Sequence, residues 1–120
     1  MATKGLKIED VLTDPDRDGG TITNSFAVLN GRSNVDFKDG LPNKNVIAWS
    51  VWYDEASCDA SKSPIHNLLT RNYTIFTPSE SDADTKTLTE LMYDAIIVDM
   101  KASTGNGGLG LTTVTKVSKA

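Results

Sequence analysis

The sequence is short of the residues that enzymes and secreted domains most often rely on. It has one cysteine, Cys58, and one histidine, His66. A lone cysteine makes no internal disulfide, so a disulfide-stapled secreted scaffold is excluded. No stretch approaches the ~20 consecutive apolar residues of a membrane-spanning helix. The opening MATKG has no apolar run after its lysine, so a signal peptide is not expected and cytoplasmic synthesis is. Positive charge is in deficit: 12 Lys and Arg stand against 16 Asp and Glu, a net charge of −4. That argues against a broadly basic nucleic-acid wrapper and leaves room only for a local basic patch. A chain of 120 residues suits a single domain, 1–120, with a modest core.

What is present reads first as β-structure. In TITNSFAVLNGRSNVDFKDG, Asn30-Gly31 lies between two strand-like runs. Asn-Gly is the strongest short hairpin signal, because both central residues of a type I′ turn need positive φ. A hairpin there pairs Leu29 with Arg32, Ala27 with Asn34, Ser25 with Asp36 and Thr23 with Lys38 on a mostly polar face. Ile22, Phe26, Val35 and Phe37 fall on an apolar one. NVIAWSVWYD is a third strand, with Ile47, Trp49, Val51 and Tyr53 on one side and Val46, Ala48, Ser50 and Trp52 on the other. LLTRNYTIFT is a fourth, and GLKIEDVL a shorter fifth, followed by an acidic turn.

Between the third and fourth strands, EASCDASKSPIHN is small, polar and interrupted by Pro64, and it reads as a long exposed loop. Beyond Pro78 the period changes. Leu88, Leu91, Met92, Ala95 and Ile96 recur at helical spacing, which predicts a helix from about 84 to 101 with Ser81 or Asp82 as N-cap. Gly105 and Asn106 stand where a left-handed residue would end it. The tail GGLGLTTVTKVSKA is compatible with a short helix, a strand or an extended arm. Strands followed by a helix make an α+β fold: an antiparallel sheet of about five or six strands and a C-terminal helical segment.

Simple geometry asks for a partner. Five strands are ~24 Å wide, and one helix is ~10–12 Å across. A single helix would leave part of Ile22, Phe26, Val35, Phe37, Trp49 and Ile75 uncovered, and a symmetric dimer joined edge to edge would cover the rest. The competing expectation is that the C-terminal tail does so.

DPDRDG, with Asp14, Asp16 and Asp18 at alternate positions before Gly19, opens like an EF-hand calcium loop. The frame does not follow. Loop position twelve is Ser25 rather than a bidentate carboxylate, and the flanks read as strands, so an acidic turn is the preferred reading. His66 has no neighbouring catalytic partner in the sequence, and nothing near Cys58 would activate its thiol. No cofactor or metal is implied.

In this order and length, the elements resemble the coat proteins of single-stranded RNA bacteriophages. EASCDASKSPIHN through TRNYTIFTPSESDADTKTLTEL is similar to that family's inter-strand loop, last strand and first helix. KASTGNGGLGL and the TDP turn are similar to its Acinetobacter-phage branch. The resemblance implies an intertwined homodimer with a continuous sheet facing the capsid interior. It also implies assembly into a small icosahedral virion of triangulation number three within the bacterial host cytoplasm. In many members a dimer binds a hairpin of the viral RNA as packaging signal and translational repressor.

Carried onto this chain, the RNA face comprises Arg32, Asn34, Lys38, Ser50, Thr70, Asn72 and Thr74, with cations on phosphates and Asn or Thr reading unpaired bases. The dimer interface comprises Leu88, Leu91, Met92, Ala95 and Ile96. The inter-dimer loop carries Cys58, Pro64 and His66, and one cysteine there permits a pairwise bridge but not a linked ring. The expectation is therefore a non-enzymatic coat protein whose partners are itself and viral RNA, with no membrane. The alternatives are a calcium-dependent β-rich binding module using Asp14, Asp16 and Asp18, and a subunit of a tail or pilus.

Overall fold

The computed structural model describes residues 3–15, 20–30, 45–65, 68–69, 71–76 and 87–119. In chain order the elements are β1 (Thr3–Ile8), β2 (Leu12–Thr13), β3 (Thr21–Ile22), β4 (Ser25–Leu29), β5 (Asn45–Trp52), α1 (Glu55–Asp59), β6 (Tyr73–Phe76), α2 (Leu88–Lys101) and β7 (Val114–Ser118). Five strands form one antiparallel sheet in the order β6-β5-β4-β1-β7, and β2 and β3 make a small separate ladder. The result is a compact α+β fold. Among the described residues, no helix is long and apolar enough to cross a membrane.

The sheet has a helix side and an outer side, and register assigns each residue to one of them. Leu6 lies opposite Ala27, Ala27 opposite Val51, and Leu29 opposite Trp49. These residues, with Ile8, Ile47 and Val114, join one buried cluster with Leu91, Met92, Tyr93, Ile96 and Met100 of α2. Met92, Ile96 and Met100 recur every fourth residue, so they line one stripe of the helix. Burying a side chain such as Ile96 stabilises by roughly 1.5–3 kcal/mol.

Ile22, Ile65, Leu68, Leu69 and Leu111 complete the cluster. One chain therefore buries Ile22, Phe26 and Trp49 by itself, while Ile75 stays exposed. Val35 and Phe37 lie outside the described residues.

The Asn30-Gly31 hairpin is not how β4 is paired. Phe26 faces Lys7 on one side and Trp52 on the other, and Ala27 faces Leu6 and Val51. With both edges of these residues taken, no place remains for a pairing of Ala27 with Asn34. The faces are also reversed. Ser25 and Ala27 are buried toward the helix, whereas Phe26 points to the outer side. There it packs beneath Lys4, whose ammonium sits 5.7 Å from the ring centroid. Gly5 permits this packing, because a Cβ at that position would stand 2.4 Å from the Phe26 ring.

Three further expectations change. The segment after β5 is not all loop: Glu55–Asp59 form α1, capped by the Asp54 carboxylate on the Ser57 amide at 2.8 Å. The N-cap of α2 is Thr87, whose hydroxyl accepts from the Glu90 amide, while Ser81 and Asp82 lie outside the described residues. The helix ends at Lys101 as expected, but the left-handed residue is Gly107, which follows a 3-10 turn at Thr104–Asn106.

The returning chain then satisfies the last carbonyls of α2. Leu109 donates to Asp99 at 3.2 Å, Gly110 to Ala102 at 2.8 Å and Leu111 to Met100 at 2.8 Å. The tail resolves as a strand: β7 pairs with β1, so the helix is followed by a strand on the far edge of the sheet.

Candidate nucleic-acid face and sheet edge

Of the seven residues expected on the RNA face, Ser50, Asn72 and Thr74 are described; Arg32, Asn34, Lys38 and Thr70 lie outside the described residues. The three do not share a face. Ser50 sits opposite Val28 on the outer side. Thr74 sits opposite Ile47 on the helix side. The Asn72 carbonyl accepts from the Trp49 amide at 3.0 Å, and its side-chain oxygen is buried without a hydrogen-bond partner among the described residues. Asn72 and Thr74, the described polar members of the TRNYTIF alternation, are therefore turned toward the core.

The apolar half faces out. Val46 pairs directly with Ile75, and Ala48 with Tyr73. Val46, Tyr73 and Ile75 are 60%, 54% and 61% exposed, the strongest apolar exposure within the main sheet. The ladder lies on β5 and β6, and β6 is the last described strand on that edge of the sheet. Side-by-side Val–Ile and Ala–Tyr pairs reinforce a strand pair, but on an open face they leave apolar area in water. The sequence places Ile75 among the residues left uncovered but does not single out Tyr73, because alternation alone does not say which half faces the helix. Only the register against Val46 and Ala48 decides it.

Four of the seven described cations are paired with carboxylates. Lys4 pairs with Glu55 at 2.8 Å and Asp59 at 2.7 Å, and hydrogen bonds to Asp59 and then Glu55 raise its pKa. Lys7 lies 3.4 Å from Glu9. Lys116 pairs with Glu90 at 2.9 Å and Asp94 at 2.6 Å. Arg71 forms a two-pronged pair with Asp99 and also donates to the carbonyls of Gly107 and Tyr73. It fastens the start of β6 to the end of α2.

The helix residues expected at a dimer interface serve the chain's own core. Leu91, Met92 and Ile96 are buried against its sheet and Ala95 packs beside them. Leu88 opens α2, and its side chain lies outside the described set. The inter-dimer loop begins as α1, where Cys58 is half-buried and unpaired; burial and then Asp59 push its thiol pKa up. Pro64 follows, half-buried, and Ile65 donates to the Val51 carbonyl at 2.7 Å, extending the sheet where β6 stops. His66 lies outside the described residues.

Asp14 is buried, accepts from the Tyr53 hydroxyl at 3.1 Å and donates its amide to Gly20 at 3.0 Å. Its amide thus closes the β2–β3 turn, while its carboxylate ties that turn to the residue after β5. Asp16 and Asp18 lie outside the described residues, and among the described residues no three His, Cys, Asp or Glu side chains cluster as a metal site.

Two carboxylates fix the opposite edge. Glu90 accepts from the Thr3 hydroxyl at 2.8 Å, from Lys116 and from the Thr3 amide at 2.7 Å, which brings its pKa down to about 2. Burial pushes the Asp10 carboxyl up, but the hydroxyls and amides of Thr113 and Thr112 outweigh it and bring it to about 2. Comparison with family models, curated proteins and solved structures finds no match to this chain.

Proposed function

We propose that this chain is a non-enzymatic viral coat protein that dimerises through its β6 edge and assembles into a closed icosahedral shell around RNA in its bacterial host. The observation that carries this reading is the exposed ladder of Val46, Ile75, Ala48 and Tyr73 on the last described strand pair of the sheet. A two-fold pairing of β6 with its copy sets Tyr73 and Ile75 of both chains side by side and removes apolar surface from water. The same pairing joins two five-stranded sheets into one.

The outer face then presents Ser50 and the paired Tyr73 rings to RNA. An exposed aromatic on a sheet suits stacking of unpaired bases. Lys4, Lys7, Arg71 and Lys116 are engaged by carboxylates, so phosphate contacts fall to other cations, among them the Arg32 and Lys38 that the resemblance implies. The resemblance to RNA-phage coat proteins supports the shell geometry of triangulation number three and the hairpin as packaging signal.

Negative-stain electron microscopy of the protein expressed alone in bacteria tests the reading, with nucleic acid followed by the ratio of absorbance at 260 and 280 nm. Uniform closed spheres containing RNA are expected. A species that never assembles removes the proposal. Filaments or open rods would point instead to a tail or pilus subunit.

A further inference from the structure

We draw no further inference here: the strongest candidate, the cleft between β1, β4 and α1 floored by Phe26 and Val117 and rimmed by Lys7, Asp54 and Glu55, carries nothing because each of its charged groups is already engaged within the chain, Lys7 with Glu9, Asp54 with the Ser57 amide and Glu55 with Lys4.

Discussion

The two edges of the sheet are finished in different ways. At the β7 edge the chain closes on itself. β7 is laddered to β1, Lys116 reaches back to Glu90 and Asp94 on α2, and Asp10 gathers Thr112 and Thr113. At the β6 edge, Arg71 anchors the strand to α2, but Val46, Tyr73 and Ile75 remain exposed on the outer side. Edge strands that are meant to stay single are commonly defended by charge. Among the described residues, the charged side chains cluster at β7 and the exposed apolar ones at β6.

The comparison can be broken most severely at β6. Ile75→Lys places a charge in the middle of the exposed ladder. The side chain is 61% exposed, so folding of the single chain should change by only about 0.5 kcal/mol, while particles should be lost altogether. Urea unfolding and electron microscopy read the two effects separately, and normal particles from this variant would remove β6 from the interface.

The next effect belongs to β7. Glu90→Ala strips the partner from the Thr3 amide and hydroxyl and from Lys116. Leaving such groups unsatisfied costs about 1–3 kcal/mol. The expected outcome is a lower urea midpoint with particles still forming under native conditions. A loss of assembly at unchanged stability would instead make β7 the pairing edge.

Acid should weaken the β7 edge. Asp10 and Glu90 are held at about 2 in the folded chain, against ordinary values of 3.8 and 4.5. Because both are depressed, their stabilisation is complete above the unfolded values and is lost as pH falls from about 5 toward 2. A urea midpoint followed across that window should fall for the native chain and fall less steeply for Asp10→Asn combined with Glu90→Gln. Parallel pH profiles would contradict the assignment.

The smallest effect is expected at Cys58. It is half-buried on α1, apart from both edges, and its thiol pKa is raised. Cys58→Ser should leave particle yield and stability essentially unchanged. Dissociation of native particles by reductant alone would show that an inter-subunit disulfide matters.

Much of the framework is legible in the sequence where signals are local. The β-branched run at 45–52, the helical spacing of Leu91, Met92, Ala95 and Ile96, and the helix end at Lys101 all appear as their chemistry suggests. Reading fails where a distant neighbour decides. Asn-Gly favours a hairpin locally, yet β4 is enclosed by β1 and β5, and small Ser25 and Ala27 lie on the helix side. The tail shows no period-two pattern because Val114 faces the helix side and Val117, opposite Gly5, the outer side. Thr74 looks like a surface residue until its pairing with Ile47 is known. The ties of Glu90 to Thr3 and of Asp10 to Thr112 span 87 and 102 positions, a separation that no local pattern encodes.

The most direct test of the central claim is the mass of the purified chain in solution, measured by light scattering across a dilution series alongside Ile75→Lys. The native protein should scatter as a species of twice the 12.9 kDa chain mass, or as a larger assembly, and the variant as a folded 12.9 kDa monomer. A native protein that remains a 12.9 kDa monomer at every concentration would contradict that claim.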